Sequence, residues 1–324
     1  MRVAILGATG AVGRTMLRVL EERLADDVDA IVPLASERSR GRRLSGWGRE
    51  WTVATPSDDA FRDVRLALFS AGSALSREWA PRATAAGAVV VDNSSAWRRD
   101  PSVPLVVPEV NGHRVGDRPK GIIANPNCST IQLVVPLAAL HRAAGLTRVV
   151  VSTYQSVSGA GQKGVDAWRA ERAGGASPSS PFSGVIDGNV IPRIGAVDED
   201  GWTEEETKMR AETRRILELP ELPVSATCVR VPVEVGHAVA ATVELTEPLA
   251  PADAAAAMAS MGVRVPSERE PLPRDVAGTD AIAVGRLRRD PDRPNVLHMW
   301  IVADNLRKGA ATNAVQIGEA VLRG

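Results

Sequence analysis

Cysteine is scarce in this 324-residue chain, which holds only Cys128 and Cys228. Two lone cysteines build no disulfide framework, so a reducing compartment is expected. Lysine is nearly absent too. Of 39 basic residues, four are lysines (120, 163, 208 and 308), which leaves 35 arginines, a bias of composition. Neither sign of charge is in excess, because 39 acidic residues bring the formal net charge to zero. That argues against a polyanion-binding surface, which makes a domain basic, and no nucleic-acid partner is expected. Long hydrophobic runs are missing: no stretch approaches the roughly 18 apolar residues of a membrane helix. The opening RVAIL lacks the charged region, apolar run and small-residue cleavage site of a leader. The expectation is a soluble, cytoplasmic protein with no membrane partner and no metal site.

What is present is a 44% hydrophobic chain, long enough for roughly two domains. Short apolar runs at 3–6, 30–34, 66–69, 88–91 and 121–124 read as strands. Helical spacing at 11–24 and 75–86 falls between them. Strands alternating with helices, and apolar without alternation, imply an α/β fold with a parallel sheet covered on both faces. After Cys128 the character changes. Residues 129–143 read as a helix that Pro136 should kink. A strand at 149–156 precedes the loop GGASPSSPFSG (174–184) and a charged amphipathic helix at 204–217. Strand-like stretches at 226–231, 238–245, 281–288 and 296–302 have an antiparallel flavour. Helices at 251–261 and 310–322 complete the pattern. The expected division is 1–127 with 305–324 returning to it, and 128–304.

GATGAVG joins the first strand to the first helix, and its Gly7, Thr9, Gly10, Ala11, Val12 and Gly13 suit a phosphate at a helix start. The spacing is GxxGxxG rather than GxGxxG, so a plain tight turn also fits. Its place between strand and helix favours dinucleotide binding. The second strand ends PLASERSRGRR. Ser36, Arg38 and Arg40 there suit a 2′-phosphate, while Glu37 would suit an unmodified ribose. NADP is the expectation.

Cys128 follows the turn Asn125-Pro126-Asn127 and starts a helix, where a thiol pKa falls. Asn127 would donate a hydrogen bond to a developing oxyanion. A small buried filler fits this stretch equally well. A thiol nucleophile needs a base. Of His113, His141, His237 and His298, the best candidate is His237, which closes RVPVEVGH after Gly236.

Seven motifs occur in order: GATGAVG, DNSSAWRRDPSVPLVVPEVN, NPNCSTIQ, YQSVSGAG, NVIP, RVPVEVGH and DNLRKGAATNAVQIGE. In these, nearly the whole chain resembles the aspartate-β-semialdehyde dehydrogenase family, and NPNCST with RVPVxxGH is its specific pair. The resemblance implies a Rossmann-type dinucleotide-binding domain. It also implies an α+β catalytic and dimerisation domain of the glyceraldehyde-3-phosphate-dehydrogenase-like kind. The implied reaction reduces β-aspartyl phosphate to aspartate semialdehyde with NADPH, releasing phosphate, on the branch to lysine, threonine and methionine. By position, Cys128 would be the nucleophile that forms a thioester, His237 the acid/base, and Gln155 the group orienting the reacting atoms. Arg230 would hold the substrate carboxylate and Glu205 its amino group. Arg98 and Lys208 would form the phosphate site. Ser70, Gly72, Ser158, Gly159 and Asn305 would join the cofactor contacts, and the protein would be a homodimer or homotetramer. The chain departs from the family at Ser73, at GNVIPRIG, around 174–188 and at Ala238, which bears on the rims rather than the catalytic set. Two rival readings are an N-acetyl-γ-glutamyl-phosphate reductase and a non-catalytic relative. Asn127 and Glu205 speak against the first, and Cys128, Gln155, Arg230 and His237 together against the second.

Overall fold

Fully buried apolar runs set the frame of the first of two units. The computed structural model describes residues 1–323, and the first unit comprises Met1–Pro126 and the chain from Ala310 onward. Its elements begin β1 (Arg2–Leu6), α1 (Ala11–Leu24) and β2 (Ala30–Leu34). Next come β3 (Arg43–Gly46), β4 (Arg49–Thr52), β5 (Val64–Phe69) and α2 (Ser73–Ala85). Then follow β6 (Val89–Asp92), one turn of α3 (Pro108–Asn111) and β7 (Ile122–Ala124). Five strands form a parallel sheet in the order β2-β1-β5-β6-β7. The chain moves from β1 out to β2 and returns to β5 on the other side of β1. Such a reversal opens a crevice at the carboxyl ends of β1 and β5. The β3–β4 hairpin was not legible in the sequence. Its two-residue turn puts Trp47 at φ 53 and Gly48 at φ 64, and a tryptophan there is not the residue that marks such a turn.

The second unit, Asn127–Gly309, opens with α4 (Cys128–Ala144), β8 (Leu146–Gln155), α5 (Gln162–Arg172) and α6 (Glu204–Leu217). It continues with β9 (Val224–Arg230), β10 (His237–Leu245), α7 (Pro251–Ser260), a turn of α8 (Pro273–Val276), β11 (Ile282–Arg289) and β12 (Val296–Ala303). The sheet order is β11-β12-β10-β8-β9. The antiparallel expectation needs one correction, since β8 and β9 run parallel. A parallel pair needs a long crossover, and α5, the 174–188 loop and α6 supply it. The loop is held down by Phe182, which packs on Val157, Val165, Trp168, Ile186 and Ile191. Helix α4 runs unbroken through Pro136 and is buried at every residue from Ser129 to Leu140. It packs on α6, α7 and β10. A helix covered on all sides is hydrophobic all round, and that packing carries it past the N–H that proline lacks.

A π-helical turn, Arg307–Ala311, leads into α9 (Thr312–Arg323), the last element of the first unit. Ala314, Val315 and Ile317 pack with Val3 and Ile5 of β1 and with Met16 and Leu20 of α1. Arg23 of α1 forks onto Glu319 through Nε at 2.7 Å and Nη2 at 2.8 Å. Residues 305–309, expected with the first unit, stand with the second. The reason is Asn305, whose buried side chain is tied to Ser156, Ser158 and Gly236.

Candidate functional site

In the first unit the glycine loop follows β1 and opens α1. The helix starts at Gly10 with no side-chain cap, so its first N–H groups face outward as an anion site does. A Cβ on Gly7 would meet Ser70 O at 2.3 Å, and one on Gly13 would meet Gly7 O at 2.2 Å. Gly7 also sits at φ +90, so both positions need glycine. These residues fit a dinucleotide pyrophosphate, with Thr9, Ala11 and Val12 lining the turn. Ser70 and Gly72 follow β5 beside it, and the Ser70 N–H donates to Leu6 O at 2.8 Å. Beyond β2, Ser36, Glu37 and Arg38 are exposed. Arg40 takes the Glu37 carboxylate at 3.1 Å. Buried Ser39, which the sequence reading passed over, lies 3.3 Å from Thr9 Oγ1. Ser73 Oγ sits 3.0 Å from Ser95 Oγ at the start of α2. Arg98 is a fixed arginine: Nε donates to Asn125 O and Nη2 to Asn93 O, each at 2.9 Å.

In the second unit the strand register gathers the other candidates. Gln155 ends β8 opposite Arg230, which ends β9. His237 begins β10, one residue before Ala238, which pairs with Tyr154. Three side chains from distant sequence thus meet at one end of three adjacent strands. Arg230 is 5% exposed, and its Nη1 donates to Ser156 O at 2.7 Å. Its guanidinium lies 6.0 Å from the Phe182 ring, so the atypical loop reaches the site. Gly159 lies against both Arg230 and His237: a Cβ there would meet Arg230 Nη1 at 2.6 Å and His237 Nε2 at 3.0 Å.

His237 is fully buried. Its Nδ1 accepts the Ser156 N–H at 3.1 Å and lies 3.0 Å from Ser156 Oγ, while Nε2 has no hydrogen-bond partner. Burial first, and the Arg230 charge second, hold its pKa well below the ordinary imidazole value. The ring is therefore neutral near pH 7.

Cys128 is the first residue of α4, half-buried, with its Cβ 3.1 Å from where a Cβ on Gly309 would stand. Asn127, expected as an oxyanion donor, has its side chain engaged within the unit. Its Oδ1 caps α4 by accepting from Ser129 N at 2.9 Å and Thr130 N at 3.2 Å. Its Nδ2 donates to Glu205 Oε1 at 2.8 Å, and its N–H to Glu212 Oε2 at 2.6 Å. Gln155 Nε2 donates to the same Glu205 oxygen at 3.2 Å. Lys208 Nζ is 3.8 Å from Glu205 Oε2 and 3.0 Å from Glu204. Helix α6 presents all of these from one face. It owes its start to a Thr203–Glu206 capping box. Glu212 was missed, although it lies seven residues, or two turns, after Glu205.

Asn305 and Ser158, expected as cofactor contacts, are bonded to one another and to their neighbours within the unit. Asn305 Oδ1 accepts from Ser156 Oγ at 3.0 Å and Gly236 N at 2.9 Å, and its Nδ2 donates to Ser158 Oγ at 3.0 Å. Both side chains are spent inside the unit. Cys228 is fully buried, and burial pushes its thiol up, away from reactivity.

Known proteins resemble the chain over nearly its whole length. The model of the semialdehyde dehydrogenase NAD binding domain matches residues 2–118, and that of the semialdehyde dehydrogenase dimerisation domain matches 137–308. Aspartate-semialdehyde dehydrogenase of Aquifex aeolicus is 50% identical over 99% of this chain and 98% of its own. Aspartate-semialdehyde dehydrogenase 2 of Vibrio cholerae is 46% identical over 99% and 97%. The crystal structure of aspartate semialdehyde dehydrogenase II of Vibrio cholerae, complexed with ASA, superposes with a TM-score of 0.96. It is 45% identical over 99% of this chain and 98% of that one. Matched along nearly its whole length by these models and relatives, the chain belongs to the aspartate-semialdehyde dehydrogenase family, oxidoreductases that reduce β-aspartyl phosphate in amino-acid biosynthesis.

Proposed function

We propose that this chain reduces β-aspartyl phosphate to aspartate semialdehyde with NADPH, through a thioester on Cys128. The observation that carries the reading is the convergence of Gln155, Arg230 and His237 at one sheet end in the unit whose α6 grips the Cys128 turn. Arg230 forks onto the substrate carboxylate, which its burial and fixed orientation favour. Glu205 accepts from the substrate amino group. Lys208 and Arg98 neutralise the phosphate. Cys128 Sγ, as thiolate, attacks the acyl carbon; the C–S bond forms, the C–O bond to phosphate breaks, and phosphate leaves with that electron pair. Gln155 orients the acyl group, and His237 Nε2 serves its oxygen. The nicotinamide, when bound, supplies the hydride.

NADP is favoured over NAD because Ser36 and Arg38 stand exposed after β2 while Arg40 occupies Glu37, the one carboxylate suited to a ribose. The match of 137–308 to a dimerisation domain supports a homodimer or a homotetramer built on it. Reduced cysteines support a cytoplasmic setting. The deciding assay is phosphate-dependent reduction of NADP by the purified protein with aspartate semialdehyde. Turnover is expected. No turnover, or faster turnover with N-acetylglutamate semialdehyde, overturns the reading.

A further inference from the structure

Two backbone N–H groups settle the chemistry of a buried side-chain network. An amide N–H only donates. The Ser156 N–H at 3.1 Å therefore makes His237 Nδ1 an acceptor, and the neutral ring carries its proton on Nε2. By the same logic the Gly236 N–H, at 2.9 Å, fixes Asn305 Oδ1 as an acceptor and turns Nδ2 toward Ser158 Oγ. Asn305 Oδ1 then accepts from Ser156 Oγ at 3.0 Å. One side chain thus ties the 156–158 turn, which holds the imidazole from below, to Gly236, which precedes it in the chain. Every member is buried: Ser156 and His237 are 0% exposed, and Asn305 and Ser158 are 3%. Within this network, Nε2 alone lacks a partner among the described residues. An imidazolium would press an Nδ1 proton against the Ser156 N–H.

We propose that Asn305 is a positioning residue that keeps the Ser156 N–H on His237 Nδ1, locking His237 as the Nε2–H tautomer. His237 then enters the reaction as a hydrogen-bond donor to the substrate's acyl oxygen rather than as the resting base of the thiol. The tautomer stands on the network alone, and its use as a donor rests on the thioester reading above.

The test is two-bond 1H–15N correlation spectroscopy of the full-length protein labelled with 15N-histidine, with His237 assigned by its loss in His237→Gln. A neutral Nε2–H ring near pH 7 is expected. An Nδ1–H ring or an imidazolium in the unmodified protein overturns the proposal without recourse to any variant. Asn305→Leu should show mixed tautomers and lose kcat on the order of tenfold to hundredfold through misplacement of the donor. Asn305→Ser covers the case in which leucine prevents folding, and should show the same mixing. Asn305→Asp keeps the acceptor for Gly236 and Ser156 and should restore the single tautomer. Unchanged tautomer and unchanged kcat in both Asn305→Leu and Asn305→Ser overturn the positioning role. A protein inert toward aspartate semialdehyde that still shows the Nε2–H ring would sink the proposed function and leave the lock standing.

Discussion

Glu212 holds Asn127 by its main chain: Oε2 accepts the Asn127 N–H at 2.6 Å, one residue before the thiol. Glu205, two turns earlier on α6, takes the side chain of the same residue at 2.8 Å. Glu212→Leu should strand a buried N–H at a cost of about 1–3 kcal/mol and let the Cys128 turn shift, with kcat down on the order of tenfold to hundredfold. Glu212→Gln keeps the acceptor and should retain most activity. Thermal melts and steady-state kinetics of the two variants check this; equal losses in both would mean that the charge, not the hydrogen bond, matters.

The two cysteines should separate cleanly. Cys128→Ser replaces a thiolate by a neutral hydroxyl and should nearly abolish turnover with the melt unchanged. Cys228 lies buried at 3.7 Å from Met209 Sδ. Cys228→Ser should keep kcat and change the melting temperature little, since Thr153, which hydrogen-bonds the thiol, offers the new hydroxyl a partner. Activity surviving in the first variant would refute the covalent route.

Cofactor choice should follow Arg38. Arg38→Ala should weaken NADP binding by about tenfold or more, as loss of a charge-assisted contact of ~1.5–3 kcal/mol requires, and leave NAD unaffected. Isothermal titration with both cofactors reads the ratio. An unchanged ratio would show that Arg38 is only a solvated surface arginine.

Gly159 should tolerate no side chain. The Cβ of Gly159→Ala would stand 2.6 Å from Arg230 Nη1 and 3.0 Å from His237 Nε2, displacing both. Activity should fall on the order of hundredfold with a modest change in melting temperature. Full activity in this variant would remove Arg230 and His237 from the chemistry together.

Stability should fall in mild acid because of His237. Its folded pKa is depressed, by burial and then by Arg230, below the ordinary value of about 6.5. Between the two values the unfolded chain binds the proton and the folded one does not, so stability rises with pH across that window. The contribution is complete above about pH 6.5 and is lost as pH drops toward the folded value. Urea titrations from pH 7 down to 5 should show this slope, and His237→Gln should flatten it. A slope unchanged by the substitution would place the acid sensitivity elsewhere.

Much of the frame was legible because its signals are local. The helices at 11–24 and 204–217 and the strand at 30–34 stand where periodicity and caps put them. Cys128 and His237 could be singled out because their residue types narrow the chemistry, and Arg230 only through the family resemblance. The parallel pairing of β8 with β9 was hidden, since direction is set by a crossover with no pattern of its own. The tasks of Asn127 and Asn305 were hidden for another reason. An amide caps, donates or accepts alike, and the deciding partners lie 78 residues away in Glu205 and 149 in Ser156.

The return of α9 to the first unit has a consequence for synthesis. Arg23 and Glu319 are 296 positions apart, and the layer of Ala314, Val315 and Ile317 exists only once everything before α9 has been translated. The second unit is one unbroken stretch. The usual order, in which the N-terminal domain folds first as it leaves the ribosome, is therefore reversed. The nascent nucleotide-binding half waits with the part of its sheet that α9 covers exposed until that helix emerges.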